Sequence, residues 1–444
     1  MKPSWDVFGR TVRSRCFQVV LVLLLAVPFT LGAVPPLQLG HETDPKVRLA
    51  LESIIEDLGR RDFLAAQNTI EPLISSTPDN RNLVYLKAVC HYGLRQWNES
   101  LQATVRLAEI DAKWQQGYLL RGMILSAQAD WAGAAAAFDK AVEVEPESAA
   151  GYYQRASFAI QYRAGDRAMM DRAIADLDIA RSLGAAPEQI DVGIGLALKN
   201  KGDSEKAADR FRKVLSANPA HHRALNELTA MHDSAGRFHL SDRLLVALRE
   251  SKPPDLDQFA LIEAHHAVAK GDAGGALIFF QTYVRTHPTD IVGLLDFAHW
   301  LEKVGRIGDA VPVLEEGMRR HPDNPDIAAQ LAWSMADSGG DLGEAKRLLR
   351  LAQAKNSESP YLKDTEAWIH YKAGDSLAAM KSIESAIALA ETIPEVAYHA
   401  GTIYMQLGDR EKALRYLRQA LASGRDFNGK KDANARLREL EKKR

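Results

Sequence analysis

The apolar positions of this chain recur in a fixed frame. A small residue stands at Ala66, Ser100, Ala134, Ala173, Ala207, Ser241, Ala276, Ala310, Ala345, Ala379 and Ala413, at intervals of 34, 34, 39, 34, 34, 35, 34, 35, 34 and 34. Four residues later comes a bulky one: Ile70, Thr104, Phe138, Leu177, Phe211, Leu245, Phe280, Leu314, Leu349, Ile383 and Leu417, of which Thr104 alone is not large and apolar. A spacing of four is one helical turn, so each pair lies on one helix face. In the first helical stretch of nine units lies another small residue, twelve positions before the first in seven of them: Ala88, Gly122, Ala156, Gly195, Ala264, Ala298, Ala332, Ala367 and Gly401. It lets a preceding helix approach closely. A period near 34 residues with two helical stretches per period predicts a stack of helix pairs.

Punctuation supports the frame. Glycine stands five residues before the small residue at Gly202, Gly236, Gly271, Gly305, Gly340, Gly374 and Gly408, where a left-handed turn would end the first helix. Proline stands twelve residues after it at Pro78, Pro146, Pro219, Pro253, Pro288 and Pro322, where it stops the second helix. The fourth unit carries five extra residues around Arg163–Met170, which predicts a longer turn between its helices.

This pattern resembles the tetratricopeptide repeat. The stretch Tyr118–Pro146, YLLRGMILSAQADWAGAAAAFDKAVEVEP, matches the family signature at Gly122, Ala134, Phe138, Ala141 and Pro146. Pro360–Thr392 and Pro394–Ser423 match nearly as well, and the resemblance runs from about residue 47 to 423. The first two units depart from it, with Arg61 and Arg95 in place of the turn glycine and Ile54 in place of a small residue. The resemblance implies an all-α, right-handed solenoid of about eleven two-helix units. DANARLRELEKKR at the end reads as a capping helix with a basic end. The division of the chain is then 1–33 leader, 34–46 linker, 47–423 repeats and 424–444 cap.

The leader has its own pattern. Lys2, Arg10, Arg13 and Arg15 precede the apolar run Phe17–Val34, and Pro35-Pro36 follow. This is the layout of a secretory signal. Leu31 stands where a small residue is preferred before the exit at Gly32-Ala33, and eighteen apolar residues also suffice to span a bilayer, so an uncleaved inner-membrane anchor is the alternative to a cleaved signal. Both readings export everything after Pro35, to the periplasm or beyond, because the cations stay in the cytosol. Arg13-Ser14-Arg15 before Cys16 does not resemble a lipoprotein signal.

Charge and chemistry narrow the function. The chain carries −2; residues 1–33 contribute +3 (four cations against Asp6), which leaves −5 for the body. A mildly acidic body gives no electrostatic ground for nucleic-acid binding. Cys90 is the one cysteine of the body and sits on an apolar stretch, as a small hydrophobe does. No P-loop, HExxH or GxSxG is present, and Gly193-Ile194-Gly195 lacks the third glycine of a dinucleotide turn. The adjacent pairs His221-His222 and His265-His266 point about 100° apart on a helix and cannot chelate one ion. Asn98-Glu99-Ser100 is a glycosylation sequon whose serine is a helix-packing position. No catalytic residue, cofactor or metal is expected, and membrane contact is expected only through the leader.

A repeat stack offers a face, which the resemblance implies is concave and lined by the first helix of each unit. Along the stripe formed by positions 2, 5, 9 and 12 of that helix, the position-9 column reads Ile55, Val89, Met123, Ser157, Leu196, Ala230, His265, His299, Trp333, Trp368 and Thr402. Tyr361, Asp364, Tyr371 and Tyr398 lie nearby on the stripe. Two roles fit His265, His299, Trp333 and Trp368: packing between repeats, or aromatic anchors that grip a protein or peptide partner. The second predicts a solvent-facing stripe that could be truncated with little loss of stability. A smaller patch, Tyr85, Val89, Tyr92, Leu119 and Met123, is a further candidate. Tyr85, Leu119 and Tyr153 stand where family members that hold chaperone C-termini place a carboxylate clamp, so no such clamp is visible. The function this implies is a non-enzymatic scaffold in the cell envelope, of use in secretion, pilus or polysaccharide-export assembly. The alternative is a non-catalytic accessory subunit of an envelope glycosyltransferase or protease complex.

Overall fold

The computed structural model describes residues 45–60, 62–354, 359–422 and 427–442. The leader, Cys16, most of the linker and Arg61 lie outside the described residues. Among the described residues there are twenty-three α-helices and no strand. They divide into two compact blocks, residues 1–251 and 252–444.

The N-terminal block holds α1 Pro45–Gly59, α2 Phe63–Ser76, α3 Arg81–Gly93, α4 Trp97–Ile110, α5 Gln115–Ala127, α6 Trp131–Val144, α7 Ala149–Tyr162, α8 Arg167–Ser182, α9 Pro187–Lys201, α10 Ser204–Ala217, α11 His222–Ser234 and α12 Phe238–Glu250. The C-terminal block holds α13 Ala260–Lys270, α14 Ala273–Thr286, α15 Ile291–Lys303, α16 Ile307–Arg320, α17 Pro325–Ser338, α18 Leu342–Gln353, α19 Pro360–Lys372, α20 Ser376–Ala386, α21 Pro394–Gln406, α22 Arg410–Ala422 and α23 Lys430–Lys442. These are six helix pairs, then five pairs and a final helix. Two short 3-10 turns, 257–259 and 387–391, precede α13 and follow α20.

The repeated residues do what their chemistry requires. All eleven small residues are at most 1% exposed, and the bulky residues one turn later are all buried. Ser100 and Ser241 satisfy their buried hydroxyls on the carbonyls of Ala88 and Thr229 in the facing first helix. A Cβ on Gly122 would stand 2.6 Å from the Phe138 ring, and one on Gly195 2.7 Å from Phe211, so both glycines are close-approach positions. Asp62, Asp130, Asp166, Asp272, Asp341 and Asp375 each accept a backbone N–H at the start of a second helix. Such caps satisfy donors that the helix itself leaves open. Cys90 is fully buried, and burial pushes its thiol up to about 12.

Two details differ from the sequence pattern. In the ninth unit the left-handed residue is Gly339, not Gly340. In the fourth, the five extra residues barely lengthen the turn: three extend the start of α8, one extends α7 and one enters the turn. A longer helix gives backbone groups hydrogen-bond partners that a longer turn would leave to water. Arg95 and Ala129 take the left-handed turn without glycine, at φ 58° and 59°.

In each block the first helices touch their successors: α3, α5, α7 and α9 in one, and α15, α17, α19, α21 and α23 in the other. Successive second helices make no comparable contact among the described residues. The first helices therefore form an inner layer, and that layer carries the candidate site.

Candidate functional site

All eight candidate residues fall in the C-terminal block, and the structure brings half of them together. Trp368 on α19 is the centre. Its ring stacks on His399 of α21 at 4.1 Å, on Tyr371 at 4.9 Å, and lies tilted against Tyr398 at 5.6 Å. Its indole N–H donates to the Asp337 carboxylate at the end of α17, at 2.9 Å. Asp364 is the polar contact, 2.9 Å from Nδ1 of His399 in the next unit. Lys372 lies 3.1 Å from Asp337 and 5.1 Å from the Trp368 ring centre. Trp333, half-buried, packs at the margin of this cluster.

The remaining candidates stand apart. His265 on α13 packs edge-on against Phe280 of its own unit and lies 3.3 Å from Asp296 of α15. His299 on α15 leaves 75% of its side chain exposed, and Tyr361 at the start of α19 is 62% exposed. The stripe is thus open at His265 and His299, half-covered at Trp333, and closed at Trp368 and Tyr398, which are 3% and 6% exposed.

That gradient corrects the sequence expectation of a wholly solvent-facing stripe. The cover is the segment Phe427–Gly429 and α23. Phe427 lies 6.1 Å from the Tyr398 ring, and the Tyr398 hydroxyl donates to Asp432 at 2.8 Å. Burial, then the bond to Asp432, pushes the Tyr398 phenol above its ordinary value. The second patch is corrected more fully: Tyr85, Val89, Tyr92 and Leu119 are buried core residues of the N-terminal block, with Tyr85 edge-on to Trp114. Their apolar character reflects packing.

Sequence reasoning missed Asp337, His399 and Glu302. Asp337 follows Trp333 by one helical turn, and His399 follows Tyr398 directly, so both were adjacent to named residues. Glu302 on α15 is buried and accepts from Gln330 and Ser334 of α17. Burial, reinforced by the charge of Asp337, pushes its carboxyl up to about 7 against those donors. Among the described residues no three His, Cys, Asp or Glu side chains gather as metal ligands. No described helix is long and apolar enough to cross a membrane.

Family sequence models of the tetratricopeptide repeat match residues 192–221, 301–369 and 394–423. A curated relative, a TPR repeat-containing protein of Pseudomonas aeruginosa, is 26% identical over 213 residues. The match takes in 47% of this chain and 35% of that protein, so the chain spans about a third of the relative's length. Among solved structures, a tetratricopeptide repeat protein from Parabacteroides merdae aligns with TM-score 0.45 and 15% identity, over 57% of this chain and 99% of that one. PilW, a type IV pilus biogenesis factor, aligns with TM-score 0.38 and 17% identity, over 48% of this chain and 95% of that one.

Proposed function

The chain belongs to the tetratricopeptide-repeat family, and from that premise we propose that it is a non-enzymatic scaffold of the cell envelope that holds partner proteins against the first-helix face of its C-terminal block. The observation that carries this reading is the aromatic and acidic cluster of Trp368, Tyr371, Tyr398, Asp337 and Asp364, continued by exposed Tyr361, His299 and His265. Aromatic anchors beside desolvated polar groups are the common make-up of protein-binding hot spots. A role in secretion, pilus biogenesis or polysaccharide export fits a protein of this family behind a leader of the kind formed by Lys2, Arg10, Arg13, Arg15 and Phe17–Val34.

Two experiments test the two halves. A reporter enzyme active only in the periplasm, fused after Arg444, should work, and a cytosolic reporter at the same place should not. The opposite pattern removes the envelope from the account. Affinity capture from envelope extract should recover the same protein with wild type and with Leu377→Ala on a second helix, and much less with His299→Ala plus Tyr361→Ala. Equal recovery by all three removes the first-helix face.

A further inference from the structure

We propose that the surface around Asp337, Trp368 and Tyr398 receives a segment of the type aromatic–Asn–Gly leading into a helix, and that this chain's own residues Phe427–Lys442 fill it in cis, so that a partner binds by displacing them. This rests on the protein-binding reading above and names the partner's chemistry.

The seat is specific. Phe427 is 7% exposed and lies against Tyr398. The Asn428 side-chain amide reaches back 91 residues to the Asp337 carboxylate, at 3.5 Å, across the units of α19 and α21. Gly429 takes φ 88°, and a Cβ there would stand 2.3 Å from the Tyr398 ring, so both the turn and the close approach call for glycine. In the first turn of α23, Asp432 accepts from the Tyr398 hydroxyl. A partner of this chemistry would bring an aromatic ring, a side-chain amide, a glycine and a carboxylate at the start of a helix.

The occupant is also lightly held. α23 buries Ala433 and Leu440, whereas α21 buries ten residues. Its ties to α22 include Arg410 to the Leu440 carbonyl and the exposed pair Arg418–Glu441, and exposed pairs contribute little. Asp337 meanwhile keeps Trp368 and Lys372 when Asn428 leaves, so the seat survives its occupant.

The test uses the full chain and a fluorescein-labelled peptide of residues 427–444, followed by anisotropy. A competent site that is mostly self-occupied binds in trans with its affinity reduced by the open fraction. The Phe427→Ala/Asn428→Ala double variant should therefore bind the peptide about tenfold or more tightly than wild type, and a peptide with the same two replacements should bind neither. Equal binding by both proteins, or binding by neither, overturns the proposal. So does a wild-type dimer formed by exchanged C-terminal segments. If the double variant loses helix, hydrogen exchange on wild type decides: α23 amides should exchange about tenfold or more faster than those of α21 and α22, and exchange in step overturns displacement. No outside partner enters either assay, so failure to find one in the envelope leaves this result standing.

Discussion

Truncation of Trp368 separates a packing role from an exposed one. The side chain is 3% exposed, stacked on His399 and Tyr371 and bonded to Asp337. An aromatic of this size buries about 150–250 Å². At about 25 cal/mol per Å² that is roughly 4–6 kcal/mol of transfer free energy. Alanine retains the Cβ and the neighbours relax in part, so Trp368→Ala should destabilise the C-terminal block by about 3–5 kcal/mol. Trp368→Phe keeps a ring in the stack and loses the bond to Asp337, which Lys372 still pairs, so it should cost about 1–2 kcal/mol. His299→Ala, on a side chain three-quarters exposed, should stay within about 0.5 kcal/mol. Urea unfolding followed by circular dichroism gives the ranking. Hydrogen exchange of α19 and α21 localises the loss, because a repeat stack need not unfold in one step. If Trp368→Ala unfolds within 0.5 kcal/mol of wild type, or His299→Ala costs as much, the assignment of buried and open ends of the stripe is wrong. A binding loss in Trp368→Ala alone would say little about recognition, since the site itself would be damaged.

Ala129 holds an exposed left-handed turn at φ 59°. Ala129→Gly removes a steric cost of about 1–2 kcal/mol and adds back some unfolded-state entropy, for a net gain of about 0.5–1 kcal/mol by thermal melting; a loss would contradict the strain. The Glu302 carboxyl, pushed from 4.5 up to about 7, binds its proton more tightly folded than unfolded. Its contribution is therefore full below about pH 4.5 and is lost as pH rises to about 7. Glu302→Gln should flatten that part of the stability profile and gain on the order of 2–3 kcal/mol at pH 8 relative to wild type; parallel profiles would refute the shift.

The repeat was legible because each unit states the same local rule. A small residue, a bulky one a turn later, a left-handed turn and a stop recur in register, and helix pairing depends on little else. Gly339 and the fourth unit escaped because a one-residue shift or a helix extension satisfies the same backbone needs as the turn that the pattern predicts. The site was half legible. Period placed Trp368, Asp364, Tyr371 and Tyr398 on one face, which is how they meet. Period says nothing of what covers the face, and the cover comes from Phe427–Gly429 and α23, beyond the last matching unit. The contact of Asn428 with Asp337 spans 91 residues and has no local signal. The buried patch at Tyr85 and Leu119 misled for a related reason: apolar residues on an inner helix face look alike whether a partner or a neighbouring helix buries them.

The central claim is that partners meet the first-helix face of the C-terminal block. A photoreactive phenylalanine analogue placed singly at His265, His299, Tyr361, Ile278 and Leu377 in the full chain, irradiated in living cells and read by mass spectrometry, tests it most directly. The first three positions lie on first helices; Ile278 and Leu377, 62% and 69% exposed, lie on second helices α14 and α20. The account predicts one shared protein cross-linked from Tyr361 and His299, more weakly from His265, and none from Ile278 or Leu377. Cross-links that rise instead from Ile278 and Leu377, with Tyr361 and His299 silent, would contradict it.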